Sequence, residues 1–76
     1  MRQLNLGAVS SQWLAEQGIQ TVEELEREGV AEVFLRIRAV QPRASLNLLW
    51  AMQAAVLGID WRQLPPEIKE QLKDQL

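Results

Sequence analysis

The sequence predicts an all-α protein, in which a compact bundle of five or six short helices surrounds one central apolar helix. Residues that start or stop helices recur along the chain, including four glycines and three prolines in 76 residues. Between these residues, apolar side chains recur at intervals of three and four, which is the spacing of one helix face. No segment carries a strand signal. Together these observations favour several short helices packed on one another.

The composition limits the class of protein further. The 76 residues suit one domain, so residues 1–76 are interpreted as a single unit, and the 47% apolar content is enough for one core. The absence of cysteine excludes disulfides and zinc–thiolate sites. No apolar run approaches the ~20 residues of a membrane span, and no signal peptide is recognisable. We therefore expect a cytoplasmic protein without a membrane partner.

The first helix is predicted over residues 10–17. Ser10 is a favourable N-cap residue, because its hydroxyl can accept a hydrogen bond from an unpaired backbone N–H. Trp13 and Leu14 are expected to point toward the core. Gly18 follows at the position where a left-handed conformation usually ends a helix.

The second helix is predicted to begin with a capping box and to end at a glycine. Thr21 and Glu24 have the capping-box spacing, and Gly29 provides the stop. The same order of capping residue and glycine occurs in the first helix, eleven residues earlier, with Ser10 and Gly18. This repetition predicts a helical hairpin formed by the first two helices.

The third helix is predicted over residues 30–41, and Pro42 ends it because proline disfavours helical geometry in the residue before it. Glu32 and Arg36 lie four residues apart on its outer face, an arrangement that is worth about 0.2–0.5 kcal/mol. Its expected buried stripe follows the helical spacing: Val30, Val33, Phe34, Ile37 and Val40.

The fourth helix, over residues 46–57, is expected to be the centre of the fold. Ser45 is its predicted cap, and the segment is apolar on almost every side, which is typical of a buried helix. Trp50 needs cover from a neighbouring helix or a second molecule. One stripe would let another helix approach closely because its members are small or polar: Asn47, Ala51, Ala54 or Ala55, and Gly58.

The end of the chain is predicted to form a short turn and a last helix. Asp60 caps the turn, which carries Trp61 and Leu64. Pro65 and Pro66 suit the start of the last helix. The apolar edge of that helix is narrow and consists of Ile68, Leu72 and Leu76.

These segments together resemble a known family. The resemblance rests on residues 4–7, 10, 13–14, 18–25, 36–39, 42–51, 61 and 64–67, of which 42–51 are the most specific. They look like the C-terminal domain of TfoX-type (Sxy-like) proteins. Residues 18–25 also resemble, more weakly, helix-hairpin-helix domains and the C-terminal module of RNA polymerase alpha subunits. The resemblance implies a helix-hairpin-helix-like (SAM-domain-like) fold and a regulatory role in bacterial natural competence. Either the domain stands alone or it is part of a longer protein.

Residue types that carry out catalysis are scarce. There is no His, Cys or Tyr, which removes the commonest general base, the best nucleophile and the phenolic acid. The acids between residues 23 and 28 are interpreted as a solvated helix face. We therefore predict no enzyme activity, no catalytic residues, no cofactor and no metal site.

A surface that would bind a protein partner or an anion is predicted in a segment that contains bases but no acids. Residues 33–59 contain three bases and no acid, although the net charge of the chain is -2. Arg43 and Ser45 stand at the start of the fourth helix, where backbone N–H groups attract anions. The candidate surface consists of Arg36, Arg38, Arg43 and Ser45. In the simpler alternative, Arg43 pairs with an acid of the second helix and Ser45 only caps.

A second candidate surface would bind nucleic acid through the hairpin at the start of the chain. Gly7 and Ser10 could aim backbone amides at phosphate, with Arg2 as the nearest base. Helix-hairpin-helix loops usually have two glycines and flanking bases, so this alternative is not favoured over a protein partner of unknown identity. A homo-oligomer stays open as a third arrangement.

Overall fold

The structure is a computed structural model that describes residues 6–76 of the chain. Those residues form five α-helices and one short 3₁₀ turn, and no β-strand occurs among them. The all-α prediction is therefore confirmed. The elements in chain order are α1 (Ala8–Glu16), α2 (Val22–Glu28), α3 (Val30–Val40), α4 (Leu46–Leu57), the 3₁₀ turn (Trp61–Gln63) and α5 (Pro66–Asp74).

Helix α4 lies at the centre, as its sequence predicts. It contacts α2, α3 and the 3₁₀ turn. A helix that is apolar on nearly every side must be covered on several sides, and these neighbours supply the cover. The buried side chains of α4 are Leu48, Leu49, Trp50, Met52 and Ala54.

The other helices also contribute buried side chains to this core. Leu14 of α1, Leu25 of α2, and Phe34 and Ile37 of α3 are completely inaccessible to solvent. Val40 was expected in the same stripe, and that prediction is wrong, since its side chain is 63% exposed. Val40 is the last residue of α3, and the chain turns away directly after it, so no element covers its side chain.

Helix α1 begins at Gly7, and the prediction that Ser10 caps it is wrong. Gly7 is the N-cap residue with φ 91°, and the first helical hydrogen bond runs from the Ser11 N–H to the Gly7 carbonyl at 2.9 Å. Ser10 therefore lies inside the helix. Glycine is itself an acceptable N-cap residue, and its positive φ is a conformation that other residues rarely adopt.

The start of α2 follows the prediction in detail. The Glu24 N–H donates to the Thr21 hydroxyl at 3.2 Å, and the Thr21 N–H donates to the Glu24 carboxylate at 3.0 Å. These two bonds satisfy backbone donors that a helix start leaves unpaired. Gly29 ends α2 and also serves as the N-cap residue of α3, so that only one residue separates the two helices.

We expect Gly18→Ala to lower the free energy of unfolding by about 1–2 kcal/mol, the cost of left-handed geometry in a residue with a Cβ. Gly18 has φ 78°, and an added Cβ would meet no atom within 4 Å, so the backbone conformation alone sets the cost. Urea denaturation followed by circular dichroism measures the loss. Gly18→Asn is the control and should lose less, because asparagine tolerates this conformation. Equal stability of Gly18→Ala and wild type would contradict the prediction.

The later helix starts agree with the prediction in position. Ser45 is the N-cap residue of α4, although its hydroxyl makes no capping hydrogen bond. Asp60 caps the 3₁₀ turn by accepting the Arg62 N–H at 2.9 Å. Pro65 and Pro66 open α5 as expected.

The apolar edge of α5 is shorter than predicted. Leu72 is buried and Ile68 is partly buried against the core, whereas Leu76 is 43% exposed. Leu76 lies beyond the end of the helix, which explains its exposure. None of the helices formed by residues 6–76 has the length and apolar character needed to cross a membrane.

Candidate functional site

A groove with a volume of about 370 Å³ opens where α1, the start of α4 and the 3₁₀ turn come together. Its floor includes Leu48 and Ala51 of α4. We call it the Arg43 groove, and its other lining residues are Ser10, Trp13, Arg43, Ser45, Asn47 and Trp61. Two of the residues predicted for the partner surface, Arg43 and Ser45, therefore lie beside one another in a single concave site.

The aromatic lining of this groove is accessible to solvent. Trp61 is 46% exposed, and Trp13 is half-buried with part of its surface against the core. Indole rings provide a large apolar surface together with one N–H donor, a combination that favours contact with another molecule.

The small stripe of α4 does not accept a closely packed helix along its first part. Asn47 is exposed and Ala51 is half-buried, and both line the Arg43 groove. The amide of Asn47 is therefore a polar group at the surface of the site. It offers both a donor and an acceptor to an incoming molecule.

Among the described residues that line the groove, Arg43 is the single charged one. Within residues 6–76, no acid lies within ion-pairing distance of its guanidinium. The alternative in which Arg43 is neutralised by an acid of α2 is thus not found in this part of the chain. The Ser45 hydroxyl beside it makes no capping hydrogen bond. A guanidinium that has no ion-pair partner among residues 6–76, and that lines the same groove as two accessible indoles, can bind a carboxylate or a phosphate.

The two other arginines of the predicted surface are engaged elsewhere on α3. Arg36 pairs with Glu28 at 2.9 Å and not with Glu32, because the single-residue connection at Gly29 brings the end of α2 beside α3. The Arg36 Nε is buried and has no hydrogen-bond partner among the described residues. Neither Arg36 nor the other α3 arginine lines the Arg43 groove.

Arg38, the remaining member of the predicted surface, lies over an aromatic ring of its own helix. Its guanidinium carbon is 5.6 Å from the centroid of the Phe34 ring, within the range of a cation–π contact. Of the three predicted arginines, the structure therefore places only Arg43 in the lining of the Arg43 groove.

The residues predicted for a nucleic-acid hairpin are only partly described. Arg2 lies outside the described residues. Gly7 stands at the start of α1, whereas Ser10 is one turn further on and lines the Arg43 groove. Among residues 6–10 there is no basic side chain.

The described groups with clearly shifted pKa values lie at the starts of two elements. Backbone hydrogen bonding from Gln20 and then the Thr21 hydroxyl lower the pKa of the Glu24 carboxyl below its usual value. The Arg62 side chain lowers the pKa of Asp60, and Asp60 in turn raises the pKa of Arg62. These shifts follow from the starts of α2 and the 3₁₀ turn. No cluster of three potential metal ligands occurs within the part of the chain that the structure describes.

The pKa of the Glu24 carboxyl is expected to lie below its ordinary value in the folded protein and to rise toward that value in Thr21→Ala, which lacks the hydroxyl that donates to the carboxylate. A carboxyl whose pKa is lowered by folding stabilises the native state above the unfolded pKa, and this contribution is lost as the pH falls through the folded pKa. An NMR titration of the side-chain carboxyl measures both values. An unshifted Glu24 in wild type would contradict the capping geometry.

Sequence reasoning missed Trp13, Asn47 and Trp61 as members of one site. Each was recognised alone, as a core aromatic, a helix-packing residue or part of a turn. They come from three different elements and meet only when α1 and the 3₁₀ turn fold against the start of α4. Local spacing carries no signal for such a meeting.

Comparison with known proteins gives a family and two similar folds. A family model described as the TfoX C-terminal domain matches residues 2–76. A crystal structure of an uncharacterised protein from Listeria monocytogenes, in a triclinic form, has 38% identity and a TM-score of 0.83, covering 93% of this chain and 81% of that one. A Listeria monocytogenes protein of unknown function, in a tetragonal form, has 38% identity and a TM-score of 0.82, covering 95% and 89%. No curated protein matches the chain.

Proposed function

Because this chain belongs to the TfoX C-terminal domain family, we propose that it is a non-catalytic regulatory or adaptor domain that acts by binding a protein partner. The observation that carries this proposal is the Arg43 groove. Arginine and tryptophan are the residue types that most often dominate the binding energy of protein interfaces. Here Arg43 lies with Trp13 and Trp61 in one accessible concave surface.

The non-catalytic part of the proposal is supported by composition. Without His, Cys or Tyr the chain would have to rely on carboxylates, Ser, Thr and Lys for proton transfer or nucleophilic attack. The carboxyls of Glu24 and Asp60, whose pKa values are lowered, already serve as caps. The resemblance extends the proposal to regulation of natural competence in the cytoplasm of a bacterium.

A protein partner suits the groove better than a nucleic-acid backbone does. Nucleic-acid binding usually neutralises several phosphates with several cations, and the described residues of the groove lining supply one cation. The hairpin alternative, with Arg2, Gly7 and Ser10, is kept as an outcome of the experiment.

The test is capture of a partner by the immobilised domain from an extract of the source cells. We expect a protein that is captured by wild type and by Arg27→Glu, but not by Arg43→Glu. Arg27→Glu is the matched control, because Arg27 is exposed on α2, undergoes the same charge reversal and lies outside the groove. Circular dichroism checks that both variants remain helical.

Two outcomes would contradict the proposal. The first is equal capture by wild type and Arg43→Glu. The second is a gel shift of duplex or single-stranded DNA that weakens steeply between low and high salt, which would favour the nucleic-acid alternative.

A further inference from the structure

We infer that the Arg43 groove binds an extended acidic segment of a protein partner, with one carboxylate on the Arg43 guanidinium and a neighbouring apolar side chain on the indoles of Trp13 and Trp61. This inference rests on the proposed function and adds the chemistry of the partner. It is carried by the shape of the groove, its charge and the groups along its edge.

The shape of the groove favours a chain segment over a small molecule. Sites for small molecules bury about 70–90% of the ligand surface. The Arg43 groove is open instead, since Trp61 is 46% exposed and Arg43 and Asn47 are exposed as well. A segment that continues beyond both ends of the groove can use such a surface without being enclosed.

The charge of the groove favours an acidic segment. Within the part of the chain that the structure describes, Arg43 is its single charged lining residue, and no acid lines it. An arginine and a carboxylate can form two parallel hydrogen bonds, which fixes the orientation of the bound segment as well as its position. We therefore expect one carboxylate of the partner to pair with the Arg43 guanidinium.

The edge of the groove can bind a peptide backbone. The Asn47 amide offers a donor and an acceptor, and the Ser45 hydroxyl makes no capping hydrogen bond. Both side chains are exposed and lie at the start of α4. An extended segment presents N–H and C=O groups that such side chains can satisfy.

The two indoles determine which kind of apolar side chain the partner would place in the groove. Trp13 and Trp61 flank the site from α1 and from the 3₁₀ turn, while Leu48 and Ala51 lie on the floor. Covering this surface removes apolar area from water, and aromatic anchors of this kind commonly dominate interface energetics. A Leu, Phe or Trp next to the acidic residue would make this contact.

The inference is tested with phage-displayed random dodecapeptides selected on the folded domain. We expect the selected peptides to carry Asp or Glu within a few residues of Leu, Phe or Trp. The most enriched peptide is then synthesised, together with a version in which its acids are replaced by the corresponding amides. Calorimetry should show at least tenfold weaker binding for the amide version.

The variants separate the contribution of the groove from that of the rest of the surface. Arg43→Glu and Trp61→Ala should each weaken peptide binding at least tenfold, whereas the matched control Arg27→Glu should bind like wild type. A version of the peptide in which lysine replaces the critical acid should recover binding to Arg43→Glu. Such a charge swap would not occur if Arg43 had only a structural role.

Several results would overturn the inference. One is a selection in which no peptide is enriched more on the wild-type domain than on Arg43→Glu. Another is a set of enriched peptides that contain no Asp or Glu. A dimer of the free domain that Arg43→Glu disrupts would assign the groove to a second copy. Arg43-dependent binding of an oligonucleotide with a steep salt dependence would assign it to nucleic acid. If a cellular protein is captured through Arg43 but acidic peptides fail, the proposed function stands and this inference falls.

Discussion

Leu49→Ala is expected to lower the free energy of unfolding by about 2–5 kcal/mol, the range for truncating a fully buried leucine. Leu49 lies on α4 and is completely inaccessible to solvent. Its removal leaves a cavity at the centre of the fold, where α4 contacts α2 and α3. A domain of 76 residues has a total stability of roughly 4–11 kcal/mol at the usual stability per residue, so this single change removes a large part of it.

Leu57→Ala is the matched control, because it makes the same chemical change in the same helix. Leu57 is 44% exposed and should cost less than about 1 kcal/mol, since the surrounding water already covers much of its side chain. Urea denaturation at a fixed pH, followed by circular dichroism, compares the two variants. Similar losses for Leu49→Ala and Leu57→Ala would show that α4 is not the centre of the core.

Leu72→Ala is expected to release α5 from the rest of the protein, at a cost of about 2–4 kcal/mol. Leu72 is the one buried residue of α5, and Ile68 adds only a partly buried contact. The Lys69 ammonium lies 5.8 Å from the centroid of the Trp50 ring and provides a further weak link to α4. With so few contacts, loss of one leucine should open α5 before the remaining helices unfold.

Amide hydrogen exchange detects this local opening. In Leu72→Ala, exchange should become much faster for the amides of α5. Exchange of the α4 amides should become faster only to the extent that the global stability falls. Leu76→Ala is the control, since Leu76 is 43% exposed and lies beyond the end of the helix. Equal acceleration in α4 and α5 would mean that the protein unfolds as one cooperative unit.

The helix boundaries could be predicted well where a single local interaction decides them. The Thr21 capping box and the extent of α4, Leu46–Leu57, depend on residues that are neighbours in the chain. The start of α1 could not be decided in this way, because Gly7 and Ser10 are both acceptable caps and the choice depends on where the helical hydrogen bonds begin.

Contacts between elements were harder to predict than the elements. The spacing within α3 favoured a pair between Glu32 and Arg36, but the short connection at Gly29 brings Glu28 closer to that guanidinium. The same limit applies to Val40, whose helical spacing suits the core although the chain turns away beside it. Periodicity identifies a face of a helix, but not how far along the helix that face is covered.

Part of the candidate site could be predicted from the sequence. Arg43 and Ser45 stand near one another in the chain, so the chemistry of a helix start pointed to them directly. Arg36 and Arg38 were grouped with them by charge alone, and the structure places those two outside the groove. The indoles of Trp13 and Trp61 join the site only through tertiary packing.

Partner contact through the Arg43 groove is tested most directly by amide chemical-shift mapping of the ¹⁵N-labelled domain with its captured protein partner. We expect the largest shifts at Trp13, Arg43, Asn47 and Trp61, including the indole N–H signals, and little change along α2. Shifts concentrated at Gly7 and the start of α1, or on the acidic surface of α2, with unchanged groove signals, would contradict this assignment.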